Sequence, residues 1–282
     1  MSPRKPDWLK IKLPNLAEAT NVISLLGKTG LNTICQSGLC PNRGECWGNG
    51  TATFMIGGDT CTRACRFCNV KTGNPKGHLD SSEIRDIVRS VRELKLRHVV
   101  LTSVDRDDLP DGGASHWASL LDALREECPG VTIETLIPDF QGNPESIDMI
   151  LSRRPEVVSH NLETVERLTP KVRCTATYRG SLDVLRRIAE AGLRAKSGIM
   201  LGLGEKTDEV VRTMDDLLET GCSVMTIGQY LQPSERHYPV AAYIEPRVFE
   251  QLRQTALEKG FRHVESSPFV RSSYHAERHA RE

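Results

Sequence analysis

Short apolar, β-branched runs alternate with amphipathic helical stretches along most of this 282-residue chain, and that alternation limits its fold more than any other feature. The strand-like runs are TATFMI from 51, HVVLTS from 98, VTIETLI from 131, VVSHNLE from 157, AKSGIML from 195, SVMTIGQY from 223 and RHVESSP from 262. Between them lie DSSEIRDIVRSVREL, ASHWASLLDALREE, NPESIDMILSR, SLDVLRRIAEAG, KTDEVVRTMDDLLETG and EPRVFEQLRQTALEKG. Helix signals agree: Asp80 or Ser81 is placed to cap, with Glu83 close behind, and Gly192, Gly221 and Gly260 stand at helix ends. About six strand-helix units predict an α/β fold with a mainly parallel sheet, a partial (β/α)6-type TIM barrel. No internal repeat or linker divides the chain, whose length suits one large domain or two smaller ones.

Lys plus Arg and Asp plus Glu each number 37, so the overall field offers nothing to nucleic acid or to an anionic membrane. No apolar run is long enough to span a bilayer, and MSPRKPDWLKIKLPN has no signal core, so a cytoplasmic chain is expected.

Nine cysteines are an odd number, and six fall between positions 35 and 68. In a reducing compartment such a cluster points to metal more than to disulfides. Cys128, Cys174 and Cys222 stand alone and read as small, partly buried apolar side chains. CQSGLCPNRGECWGNG, residues 35–50, has no hydrophobic periodicity and reads as a loop folded around something other than its own core. The second set, Cys61-x3-Cys65-x2-Cys68, fills the loop after the first strand, on the face where α/β barrels keep their ligands. On spacing alone two readings stand. A structural zinc would need a fourth ligand, with His78 the candidate ten residues on. An iron-sulfur cube can be held by three thiolates with its fourth iron open.

With Phe67 before its last cysteine and Asn69 after it, Cys61-x3-Cys65-x2-Cys68 resembles the signature of the radical S-adenosylmethionine superfamily. Cys35-x4-Cys40-x5-Cys46 and the closing Arg271-Ser272-Ser273-Tyr274 resemble the auxiliary-cluster and C-terminal motifs of lipoyl synthases, and the resemblance runs from residue 30 to residue 275. It implies two [4Fe-4S] clusters and S-adenosylmethionine as cofactors. Cys61, Cys65 and Cys68 would hold the cluster whose open iron chelates S-adenosylmethionine. Cys35, Cys40, Cys46 and Ser273 would hold an auxiliary cluster that donates sulfur, with the Ser273 oxygen a hard and releasable ligand on iron. The implied reaction puts two sulfur atoms at C6 and C8 of an octanoyl chain carried on a protein lysine. Those C–H bonds offer no acidic proton, so radicals rather than acid-base groups must act on them.

For S-adenosylmethionine, SGIMLGLGE matches the superfamily's adenine-side pattern through Gly198, Gly202 and Glu205, with Met200 in the Ile position. Asn161 and Glu163 are placed to hold the ribose, Lys196 and Arg173 to meet the carboxylate. LTSVDRDD stands where the superfamily often has Gly-Gly-Glu, leaving Thr102 and Ser103 as candidates for the methionine amine. Arg271 and Tyr274 are placed to shape the serine's loop or contact substrate. Bland alternatives accompany these: Asn161 as a helix cap, Glu163 paired with an arginine, the glycines as turn formers. His98, His160 and His263 read as core or rim residues, and His275 and His279 as a solvated tail.

The expected organisation is an N-terminal extension over 1–50, a barrel over 51–268 and a tail over 269–282, with extension and tail closing over the barrel mouth. The resemblance implies octanoylated lipoyl-carrier proteins as partners (E2 lipoyl domains, the glycine cleavage H protein), with a flavodoxin or ferredoxin as low-potential donor and an iron-sulfur carrier for cluster rebuilding. A monomer is expected, because a folded carrier must reach the site. Rival readings are another radical sulfur-inserting enzyme, such as a methylthiotransferase, and a zinc-stabilised binding module. The first gives no reason for RSSY, and this length leaves no room for a methylthiotransferase's RNA-binding domain.

Overall fold

A parallel strand covered on both faces must be apolar throughout, and β1 (Thr53–Ile56) is buried at all its positions. The computed structural model describes residues 4–10, 30–42, 45–46 and 53–280. After β1 comes a short parallel pair, β2 (Thr60–Cys61) with β3 (Lys71–Thr72). The remaining strands are β4 (His98–Ser103), β5 (Thr132–Leu136), β6 (Val157–Ser159), β7 (Arg194–Leu201), β8 (Val224–Gln229) and β9 (His263–Ser266). The seven-stranded sheet runs β1-β4-β5-β6-β7-β8-β9, with β1 on β4, β4 on β5, β7 on β8 and β8 on β9 all parallel. Sequential parallel order with helical crossovers is the topology of a partial TIM-type barrel.

The crossovers follow an earlier short helix, α1 (Ile34–Ser37). They include α2 (Glu83–Glu93), α3 (Ala114–Glu127), α4 (Pro144–Leu151), α5 (Thr169–Val172), α6 (Tyr178–Glu190), α7 (Thr207–Glu219) and α8 (Pro246–Lys259). Capping explains where they start. Asp80 accepts from the Ser82 N–H and hydroxyl, which closes a turn ahead of α2 and delays that helix to Glu83. Thr177 accepts from the Gly180 N–H, so α6 begins before the predicted Ser181. Gly260 ends α8 at φ 118°, a conformation L side chains resist.

Contacts divide the chain into two units. One contains Ala64–Cys68 and Val158–His275, with a core of Ile188, Ile199, Met214, Leu217, Met225, Ile227 and Phe249. The other contains the described residues from Gly30 to Arg63, Asn69–Val157 and the segment from Ala276, around Phe54, Ile87, Leu101, Trp117, Leu121 and Ile133. Each such side chain contributes about 1.5–3 kcal/mol on burial, and truncating Trp117 to Ala costs about 3–5 kcal/mol.

In the second unit α1 is anchored to the edge strand. Thr33 bridges antiparallel to Phe54, and the Met55 N–H donates to the Asn32 carbonyl. Here too the expected solvated tail is corrected: His279 is 1% exposed. It lies in α9 (Ala276–His279), where the i,i+3 spacing puts it on one face with the buried Ala276, and α9 packs near β4. His98 and His160 are core residues, bonded to the hydroxyls of Thr132 and Ser181. Cys128 and Cys222 are buried as read. Among the described residues no helix is long and apolar enough to cross a membrane.

Candidate active site

The loop after β1 begins with backbone caught by a carboxylate. Glu83, at the start of α2, accepts the Gly57 and Gly58 N–H groups at 2.9 and 3.2 Å, and His116 Nε2 lies 2.6 Å from the same carboxylate. Two residues past Cys61 comes Arg63, whose side chain is 4% exposed. It forks onto Asp107 at 2.8 and 2.9 Å, donates to Asp139 at 2.7 Å and faces Asp105 at 3.3 Å. A buried guanidinium is tolerable only with such partners. Asp105 in turn lies 3.6 Å from Cys61 Sγ, and burial, opposed by Arg63, pushes its carboxyl up. Sequence reasoning passed over Arg63, Asp105, Asp107 and Asp139. The available signal was an arginine between two cysteines and acidic residues crowded at the end of β4.

Cys65 and Cys68 belong to the other unit. The Cys68 N–H closes a turn onto the Cys65 carbonyl. Two segments hold that turn: Arg66 donates its N–H to Val172 and accepts from Tyr238, with its guanidinium 5.1 Å from the Tyr238 ring. His237 Nε2 lies 3.0 Å from the Cys68 carbonyl. Phe67 is half-buried within the turn. Cys174 is not the partly buried apolar side chain expected: it is exposed, and its sulfur lies 3.7 Å from Cys65 Sγ. Burial pushes the Cys65 thiol up to about 12.

The first cysteine set lies in the same unit as Cys61. Cys35 is buried in α1, the Cys40 N–H donates to the Cys35 carbonyl, and Cys46 has its thiol pushed up to about 12 by burial and by Cys40 and Cys35 nearby. Asn69, predicted beside the second set, donates Nδ2 to the Ser37 carbonyl at 2.9 Å and so ties that run's end to α1. Among the described residues no three His, Cys, Asp or Glu side chains converge to metal-binding distance. The donors are nonetheless soft thiols in two local groups, a set suited to iron-sulfur ligation.

Polar groups predicted for the cofactor cluster where β6 runs out toward α5 and beside β7. Glu163 has φ +68°, held there by its N–H on the Gly198 carbonyl and by Met200 N–H on its own carbonyl. A glutamate in that region is strained, a condition that concentrates at functional sites. Burial pushes its carboxyl up, while Arg173 and a hydrogen bond with Asn161 pull the other way. Arg173 Nη1 donates to the Asn161 carbonyl at 3.2 Å and to Ser181 Oγ at 2.7 Å. Asn161 Nδ2 donates to Ser272 Oγ at 2.7 Å, while its buried Oδ1 has no partner among the described residues. Beside it β7 is bare: a Cβ on Gly198 would overlap Thr226 Oγ1 and stand 3.1 Å from Asn161 Oδ1. Lys196, 1% exposed, and the half-buried Met200 share Gly198's face of the strand.

Glu205 shapes a turn, its carboxylate accepting the Gly202 and Leu203 N–H groups at 2.6 and 2.9 Å. In the other unit Thr102 donates to the Leu136 carbonyl, and Ser103, paired with Ile56 at the strand ends, has a buried Oγ without a partner among the described residues. In the tail, the Tyr274 N–H donates to the Arg271 carbonyl, so Ser272 and Ser273 form the bend, and Arg271 Nη1 braces the Val270 carbonyl at 2.6 Å. Gly228 admits that tail, since a Cβ there would overlap the Val270 carbonyl. Within the unit of Asn161, its unmet Oδ1, the bare strand at Gly198 and the partly paired Arg173 guanidinium fit an amphoteric adenosyl ligand.

The Radical SAM superfamily matches residues 55–217. The chain is 59% identical to the lipoyl synthase of Treponema denticola over 98% of its own length and 95% of that protein's. It is 56% identical to the lipoyl synthase of Parabacteroides distasonis, over 98% of both chains. In fold it is similar to methylornithine synthase, with TM-score 0.57 and 16% identity over 76% of this chain and 70% of that one.

Proposed function

The chain belongs to the lipoyl synthase family of the radical S-adenosylmethionine superfamily, and from that premise we propose how its residues share the insertion of two sulfur atoms into a protein-bound octanoyl-lysine. When bound, the two [4Fe-4S] clusters and S-adenosylmethionine supply the electron, the hydrogen-abstracting 5′-deoxyadenosyl radical and the sulfur.

Cys61, Cys65 and Cys68 hold the cluster that meets S-adenosylmethionine, in a loop braced by Arg63 and, past it, by His237 and Tyr238. Cys35, Cys40 and Cys46 hold the auxiliary cluster with Ser273, whose bend is set by Arg271 and Tyr274. Asn161, Glu163 and Arg173 take the ribose and carboxylate. Ser103, Thr102, Lys196 and Met200 line the remaining cofactor contacts, and Phe67 and Asn69 fix the cysteine turn. Carrier partners are E2 lipoyl domains and the glycine cleavage H protein. A flavodoxin or ferredoxin delivers electrons in the cytoplasm, and an iron-sulfur carrier rebuilds the auxiliary cluster. The division into extension, barrel and tail follows the same assignment.

The observation that carries this reading is the Asn69 to Ser37 hydrogen bond, which ties one cysteine run to the helix bearing the other. The test is iron and acid-labile sulfide per chain after anaerobic reconstitution. Wild type should hold about eight iron atoms and the Cys61/Cys65/Cys68 triple-alanine variant about four; a wild-type value near four removes the sulfur donor, and zinc in place of iron removes the enzyme reading.

A further inference from the structure

We propose that Asn161 is a positioning residue through which occupancy of the adenosyl site sets the hold on the tail serine, an inference that rests on the assignments of Asn161, Glu163 and Ser273 above. The two ends of its amide differ in what they meet. Nδ2 donates to Ser272 Oγ at 2.7 Å, one residue before Ser273. Oδ1 is buried, without a partner among the described residues, in a residue only 9% exposed. An amide oxygen left buried and unmet is costly, so the place is built for a donor brought from outside. A ribose hydroxyl is such a donor, and the missing Cβ at Gly198 leaves room beside the oxygen.

The backbone around Asn161 is fixed. Arg173 pins its carbonyl, and Glu163 two residues on is bonded to β7 at both its N–H and its carbonyl. Rotation of the amide about its own side chain, restrained only at its Nδ2 end by Ser272 and the Glu163 carboxyl, is the freedom that remains. A hydroxyl on Oδ1 stops that rotation and holds Nδ2 on Ser272; loss of the ligand releases both. The tail bend is therefore tighter while the cofactor is bound and looser once it has been cleaved and leaves. Linkage makes the effect reciprocal: a tail that cannot take the hydrogen bond weakens the cofactor.

The experiment uses the full-length reconstituted protein with S-adenosylmethionine and no reductant. It reads equilibrium affinity and amide hydrogen exchange over residues 270–275 in wild type, Asn161→Ala, Ser272→Ala and Ser272→Thr. Binding should slow tail exchange about fivefold in wild type, in line with one hydrogen bond. Both alanine variants should lose that slowing and bind about fivefold more weakly, and threonine, which keeps a hydroxyl, should restore both. Slowing retained in Ser272→Ala overturns the proposal and leaves the cofactor assignment standing. Failure of wild type to bind S-adenosylmethionine overturns both. Ser272→Ala and Ser272→Thr keep the test decisive should Asn161→Ala not fold.

Discussion

Cys174 Sγ lies 3.7 Å from Cys65 Sγ although 109 residues separate them in sequence. That is contact between thiols, well short of the ~2.05 Å bond a disulfide makes. Cys174 thus has access to a proposed cluster ligand whenever that ligand is free. In cluster-free protein, treatment with diamide should join the two, the reagent taking up both electrons and both protons. Non-reducing peptide mapping should find the 65–174 crosslink in wild type, lose it in Cys174→Ser, and lose it after reconstitution. A reconstituted protein that crosslinks as readily would mean Cys65 does not bind iron.

Arg63 is buried against three carboxyls, so removing it leaves uncompensated buried charge. Arg63→Met should lower stability by about 3–5 kcal/mol, a fall in Tm of roughly 10 °C at this chain length. Lysine cannot reproduce the fork onto Asp107 and should recover only part of it. Differential scanning calorimetry on the apo chain separates this effect from cluster loss.

Strain at Glu163 predicts a trade. Glu163→Gly relaxes the +68° backbone and should raise apo stability by about 1 kcal/mol. The same change removes the carboxyl facing Asn161 and Arg173 and should weaken S-adenosylmethionine by about tenfold. Denaturant melts and equilibrium binding on one preparation check both halves. A glycine variant that is less stable would mean the side chain, not the backbone, holds this place together.

Asp108 supplies the pH dependence. Arg106 grips it through two bonds of 2.7 and 2.8 Å, and the Gly77 N–H adds a third. The Arg106 bonds hold its carboxyl down at about 2, against an unfolded value near 3.8. A lowered value stabilises above the unfolded pKa and stops doing so as pH falls through the folded one. Asp108→Asn should therefore lose about 2 kcal/mol at pH 7, with the gap to wild type closing between about pH 4 and pH 2. Urea melts across that range decide it.

The fold was legible because its signals are local and periodic. The run of α3 was read at its true ends, and α2 and α6, whose starts lie three residues from the runs read, begin where Asp80 or Thr177 found a backbone donor that periodicity does not report. The two cysteine sets could be proposed from spacing because each lies within one short segment. Cys174, Arg63 and His237 were not legible: their partners are 109, 44 and 169 residues away, and only the folded chain brings such pairs together. His279 was misread because a residue three positions from the last looks solvated until one helical turn points it inward.

The three carboxyls around Arg63 have a consequence for electron supply. Asp105, Asp107 and Asp139 crowd one guanidinium, and Asp105 stands 3.6 Å from Cys61. Uncompensated negative charge beside an electron acceptor disfavours the reduced state, and a buried setting screens it little. Were the proposed cluster held at Cys61, these acidic groups would raise the cost of reducing it and favour a donor of low potential.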